Sequence, residues 1–278
     1  GINNKEVNSF MVPFNEKLKK SIKTKRSHLC VGLDISPEGL GNKNASLSDL
    51  KDHTLKIINA TQDLAVAFKP NLGFYERWGS QGFQWLEQTI EIFDEKTIVI
   101  GDAKRGDIGN TAKQYAQSLF NHFNFDAVTL NPYMGYDSIE PFIMDPTKGV
   151  FVLCRTSNKS ASDFQNFEDQ SSNALFESVA EACYDWNKND NIGLVVGATA
   201  PKEIKRVRKK APGLPLLIPG VGNQGGDLDQ SMRNGNTNGI SIINVSRSII
   251  FSSDLSEYSI RNAAKNYLEK MRSFINDK

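Results

Sequence analysis

Short apolar, β-branched runs recur eight times along this chain, and longer segments with helical spacing separate most of them. The runs are His28–Asp34, Leu64–Asn71, Thr97–Lys104, Ala127–Tyr133, Gly149–Thr156, Ile192–Thr199, Pro215–Gly222 and Gly239–Arg247. Most are nearly continuous in apolar residues, as strands covered on both faces must be. The helical segments are Leu47–Thr61, Gln81–Phe93, Thr111–Asn124, Leu175–Trp186, Pro201–Lys210, Gly226–Asn234 and Leu255–Ile275. This alternation, with no linker, predicts an α/β fold: a (β/α)8 TIM barrel. A doubly wound open sheet fits less well, because no GxGxxG follows the first run. Residues 1–278 read as one barrel domain, with 1–27 an N-terminal helical extension. Within it, Val7–Lys25 is expected to form an extra helix covering the barrel bottom.

Charge and cysteine usage narrow the function. Lys and Arg total 33 and Asp and Glu 32, a net charge of +1. A near-neutral chain has no global attraction to a polyanion, so no nucleic-acid partner is expected. No apolar run approaches the ~18 residues of a membrane span, so no membrane partner is expected. The cysteines, Cys30, Cys154 and Cys183, have no CxxC spacing, and two sit inside apolar runs. They read as buried thiols of a cytoplasmic protein. His28, His53 and His122 form no HxH, HExxH or Cys/His cluster, so neither metal nor cofactor is expected. Lys, Asp and Glu remain as the chemical actors.

Barrel active sites lie at the C-terminal strand ends. Here those ends carry Asp34, Lys69, Asn71, Asp102, Lys104, Asn131, Arg155, Thr156, Ser157, Thr199, the Pro219–Gly222 turn and Arg247. Asp102 and Lys104 are two apart on the third run, so both face the interior. Asp107 follows in the loop that begins the next helix. Adjacent carboxylates hold a lysine charged, and a charged, fixed lysine is a positioned proton donor. An isolated DxK pair reads more readily as a strand-end salt bridge, and Asp107 as a helix cap. Glycines after the seventh strand let backbone N–H groups approach an anion beside Arg247. The same glycines would also serve a tight turn. The polar stretch from Ser157 to Asp169 is a candidate lid or an ordinary surface loop.

Taken together, the motifs resemble one family. The blocks CVGLD (30–34), FKPN (68–71), GDAKRGDIGNT (101–111), VTLNPYMG (128–135), RTSN (155–158), LVVGAT (194–199), PGVGNQGG (219–226) and NVSR (244–247) are similar to orotidine 5′-monophosphate decarboxylases, in family order. The longer variants of that family are the better match. The resemblance implies decarboxylation of orotidine monophosphate to uridine monophosphate, the last step of de novo pyrimidine synthesis, on a (β/α)8 barrel without a cofactor. It implies that Asp102 faces the departing carboxylate and Lys104 protonates C6 of the pyrimidine. It implies a homodimer with shared sites, in which Asp107, Ile108 and Thr111 cross to the partner. Asp34, Lys69 and Asn71 would bind the ribose, and Thr156 and Ser157 the base. Gln224 and Arg247 would bind the phosphate, assisted by Pro219 and by backbone amides near Gly222 and Gly226. Ser248 departs from the pattern, since many relatives carry glycine or alanine there. Two other readings fit the residues: a phosphate-binding barrel acting on a sugar phosphate, and a non-catalytic nucleotide-binding barrel. The stretch ahead of the first strand, about 27 residues, is too short for the phosphoribosyltransferase half of a bifunctional UMP synthase.

Overall fold

Every apolar run contains a strand. The computed structural model describes residues 11–222 and 227–275. The strands are β1 (Leu29–Leu33), β2 (Ala67–Pro70), β3 (Ile98–Arg105), β4 (Ala127–Leu130), β5 (Gly149–Arg155), β6 (Ile192–Val196), β7 (Leu216–Ile218) and β8 (Ser241–Val245). They form a closed parallel barrel in sequence order. Closure comes from β8 pairing with β1, with Cys30 opposite Asn244. Closing the sheet removes both edges, so no strand is left with an unpaired ladder.

The outer helices follow the sequence reading where they are long. Helix α2 (Leu47–Thr61) starts at a Ser46/Asp49 capping box, α7 spans Leu175–Trp186, and α8 spans Pro201–Lys210 with proline in its first turn. Helix α4 (Gly79–Ile92) begins two residues earlier than its periodicity suggested. Helix α5 (Gly109–Ala116) continues as a π-helical segment over Gln117–His122. Helix α9 (Leu228–Gly235) starts at the Asp227 cap, beyond Gly226, which lies outside the described residues. Helix α11 (Glu257–Ser273) starts at the Ser256 cap. Three short helices carry too little sequence to show a period: α3 (Leu72–Glu76), α6 (Glu140–Ile143) and α10 (Arg247–Ile250). Helix α6 is the only α-helix between β4 and β5 among the described residues, which is why that crossover gave no helical signal.

Two apolar cores result. The larger lies between the strands and the outer helices. The smaller fills the barrel interior with Cys30, Ile98, Ile100, Phe151, Val195, Leu217 and Ile242, and joins Phe14, Leu18 and Ile22 of helix α1 (Phe14–Lys25). Helix α1 therefore closes the barrel floor. Phe14 packs edge-on against Phe151 at 6.0 Å. A Cβ on Gly149 would sit 2.1 Å from the Phe14 ring, so only glycine fits beneath it. Lys17 pairs with Asp126 at 2.9 Å, and the Asn15 amide donates to the Ile192 carbonyl at 3.1 Å. Burying the three apolar side chains contributes about 1.5–3 kcal/mol each. The first part of the expected extra helix, Val7–Phe10, lies outside the described residues.

The three cysteines are free and buried. Burial pushes the Cys30 thiol up to about 12, so it stays protonated and inert. His28 and His53 each bond a backbone carbonyl, of Ser241 and Ile250, and serve packing.

Candidate active site

The strand ends converge on a cavity of about 540 Å³ at the C-terminal mouth of the barrel. Its walls include Asp34 after β1, Lys69 and Asn71 from β2, Asp102 and Lys104 from β3, and Thr129 from β4. Thr156 and Ser157 follow β5, Pro219 follows β7, and Arg247 follows β8. Most of the residues singled out in the sequence thus meet in one place.

Asp102 organises the floor. It is 7% exposed, and both its oxygens are engaged. Its Oδ2 accepts from the Lys69 ammonium at 2.6 Å, and its Oδ1 from the Lys104 ammonium at 2.6 Å. The Thr129 hydroxyl also donates to Oδ1, at 2.8 Å. Burial favours the neutral acid, but the two ammoniums outweigh it and hold the Asp102 carboxyl well below the usual range. Burial likewise opposes charge on Lys69, and Asp102 with Asp34 overcomes it, raising Lys69 above the usual lysine range. Within one chain the array is therefore Lys69–Asp102–Lys104. The sequence suggested Lys104 between two carboxylates; Asp107 does not bond it here.

Local backbone geometry aims Lys104. The β3–β4 register shifts between Gly101 and Arg105, the mark of a bulge. Lys104 takes a left-handed backbone with φ of 49°, a conformation that costs a non-glycine residue about 1–3 kcal/mol. The turn leaves its side chain half-exposed at the cavity edge, while its tip reaches back to Asp102.

Asp34 is different. Its Oδ1 is buried with no protein partner among the described residues. Burial raises its carboxyl above the ordinary value, although Lys69 pulls the other way. The Ser246 hydroxyl also stabilises the carboxylate. A buried acceptor without a donor, facing a cavity, is a place for a ligand hydroxyl. Asn71 caps α3 by accepting from the Gly73 N–H at 3.1 Å, which leaves its amide NH2 free to donate.

The opposite wall is held by the loop after β5. Gln165 accepts from the Thr156 N–H at 2.8 Å and donates to its hydroxyl at 2.7 Å. Thr199 donates to the Ser157 carbonyl at 3.0 Å. The stretch read as a lid contains a 3-10 turn, Lys159–Asp163, and leaves Phe164 and Phe167 exposed. At the β7 end, Gly222 has φ of 85° and lies just outside the cavity wall. A Cβ there would meet the Tyr267 hydroxyl at 2.9 Å and the Ser248 hydroxyl at 3.1 Å, so the turn needs glycine. Gln224 and Gly226 lie outside the described residues.

Asp107, Ile108 and Thr111 do not line this cavity. Asp107 accepts from its neighbour's N–H, that of Ile108, at 2.7 Å. It borders a second, adjoining cleft of about 360 Å³ with Arg105, Asn131, Tyr133 and Met134. Lys104 lines both cavities. Ile108, Tyr133 and Met134 are exposed there, Tyr133 at 91%. From the wider ring, Arg155 turns to the Thr156 carbonyl at 2.7 Å instead of entering the cavity. Sequence reasoning missed Thr129, Asn244 and Ser246, all of which line it. A lone hydroxyl within the apolar AVTL run was the available signal for Thr129.

The same arrangement of chain is found in known proteins. The profile of the Orotidine 5′-phosphate decarboxylase / HUMPS family matches residues 27–259. An orotidine 5′-phosphate decarboxylase of Dehalococcoides mccartyi strain CBDB1 is 44% identical over 268 residues, covering 95% of this chain and 97% of that protein. The chain belongs to the orotidine 5′-phosphate decarboxylase family. An orotidine 5′-phosphate decarboxylase of Ralstonia nicotianae is 42% identical over 95% of this chain and 98% of its own length. The structure of Leishmania donovani OMP decarboxylase superposes with a TM-score of 0.83 at 38% identity, covering 95% of this chain and 98% of that one. Leishmania donovani UMP synthase superposes with a TM-score of 0.86 at 39% identity, and there the match covers 57% of the longer chain. Helix α1 precedes the span matched by the family profile.

Proposed function

We propose that this chain decarboxylates orotidine 5′-phosphate to uridine 5′-phosphate and CO2, the last step of pyrimidine nucleotide synthesis, with Lys104 as the proton donor. The observation that carries this reading is the Lys69–Asp102–Lys104 array, which runs from the cavity floor to its edge and is joined at 2.6 Å on each side. With Arg247, the cavity carries three cationic side chains against the carboxylates of Asp34 and Asp102, a positive local field for an anionic substrate. Membership of the family supplies the substrate.

The chemistry follows from these groups. The bond between C6 and the carboxylate carbon breaks, CO2 leaves, and the electron pair remains at C6. The Lys104 ammonium gives its proton to that pair, and solvent returns a proton to the amine. Stabilising charge as it develops at C6, in a site shielded from water, is electrostatic catalysis. Asp102 faces the departing carboxylate and keeps Lys104 in place. No resident cofactor takes part in this scheme. Asp34, Lys69 and Asn71 bind the ribose, the first through its unpartnered carboxylate oxygen. Thr156 and Ser157 hold the base. Arg247 binds the phosphate with Pro219, the backbone at Gly222, and Gln224 and Gly226. Phosphate contacts remote from C6 supply binding energy for closing the loop from Ser157 to Asp169.

The barrel works as a single catalytic domain in a cytoplasmic homodimer. Asp107 is held away from its own cavity, beside exposed Ile108, Tyr133 and Met134, as a group that completes the partner's site would be. Thr111 and Ile108 cross with it. Among the described residues no helix is long and apolar enough to span a membrane. The test is direct: purified, EDTA-treated protein is mixed with orotidine 5′-phosphate and ultraviolet absorbance is followed. Stoichiometric uridine 5′-phosphate is expected, and an unchanged substrate at ample enzyme overturns the proposal.

A further inference from the structure

We infer that Thr129 is a positioning residue for the proton transfer, acting through Lys104 and Asp102. The inference rests on the decarboxylase reading above. Thr129 lies on β4 at 1% exposure, where its neighbours in the strand are Ala127, Val128 and Leu130. Valine, of nearly the same shape, would satisfy the packing and the strand propensity there. The hydroxyl instead does two specific things. It accepts from the Lys104 backbone N–H at 3.0 Å and donates to Asp102 Oδ1 at 2.8 Å.

The reason lies in the bulge. Between the Gly101–Val128 and Arg105–Leu130 pairs the β3–β4 ladder is broken, so the Lys104 N–H lacks a main-chain acceptor on β4. The Thr129 oxygen takes that acceptor's place and ties down a residue in a left-handed backbone. A hydroxyl has one proton. With a lone pair engaged by the N–H, that proton is directed to Asp102 Oδ1, the same oxygen that receives the Lys104 ammonium at 2.6 Å. One side chain therefore fixes both ends of Lys104: its backbone turn directly, and its ammonium through Asp102. A misplacement of about 1 Å at a reacting group costs on the order of a hundredfold in rate.

The test compares Thr129→Val, which keeps the shape and removes both bonds, with Thr129→Ser, which keeps the hydroxyl. For Thr129→Val we expect kcat to fall about ten- to a hundredfold with KM within about threefold. Affinity for uridine 5′-phosphate should be unchanged. Thr129→Ser should recover most of the rate. A Thr129→Val enzyme with wild-type kcat would overturn the inference. So would a serine variant as impaired as the valine one, or a loss of nucleotide affinity in step with kcat. If Thr129→Val does not fold, Thr129→Ser against Thr129→Ala gives the same comparison. An inactive wild-type protein would instead refute the decarboxylase reading itself.

Discussion

Lys104 Nζ lies 2.6 Å from Asp102 Oδ1, although Lys104, next to last in β3, takes a left-handed backbone at φ of 49°. The strained turn and the ion pair are one device. A regular strand would place the two side chains side by side along the barrel axis. The bulge lets the lysine fold back over the carboxylate while staying at the mouth of the cavity. Lys69 holds the other carboxylate oxygen from β2, so Asp102 cannot swing away with Lys104.

Asp34 predicts a conflict between stability and function. Its carboxyl is raised above the ordinary value, chiefly by burial. The folded state then binds this proton more tightly than the unfolded chain does. Ionised Asp34 therefore costs stability above the ordinary carboxylate range, and the cost vanishes as pH falls below it. Asp34→Asn should melt about 2 °C higher than wild type at pH 8, with the difference gone near pH 4. Its kcat/KM should fall about ten- to a hundredfold, because a charged acceptor for the ribose is lost. Thermal melts at the two pH values, with steady-state kinetics, check both halves. A variant less stable at pH 8 would show that Asp34 is paired in the free protein.

The second prediction concerns the shared site. Asp102→Ala and Asp107→Ala proteins should each be nearly inactive. Once mixed and allowed to exchange subunits, they should regain about a quarter of the wild-type sites, since half of a random mixture is heterodimer with one intact site. Exchange is followed independently with labelled subunits. Demonstrated exchange without recovered activity would place Asp107 in its own chain's site.

Much of this was legible in the sequence. The eight apolar runs gave the barrel because buried parallel strands need apolar residues on both faces, and the spacing of Asp102 and Lys104 put both at the mouth. Long helices such as Leu47–Thr61 and Leu175–Trp186 showed their period and their ends. Helix α6, with four residues, could not. The pairing of Lys69 with Asp102 also escaped the reading, because it joins neighbouring strands 33 positions apart. Thr129 was hidden for another reason. Its role depends on a bulge, and a register shift leaves no trace in the pattern of apolar residues. Ser246 faces Asp34 only because barrel closure brings β8 beside β1.

The central claim is that Lys104 delivers the proton to C6, and Lys104→Ala tests it most directly. The measurement is kcat for orotidine 5′-phosphate in EDTA-containing buffer, beside the affinity for uridine 5′-phosphate. Loss of the acid and of its charge should lower kcat by at least about a thousandfold, with nucleotide affinity kept within about tenfold. Turnover near the wild-type rate in a folded, nucleotide-binding Lys104→Ala protein would contradict the account.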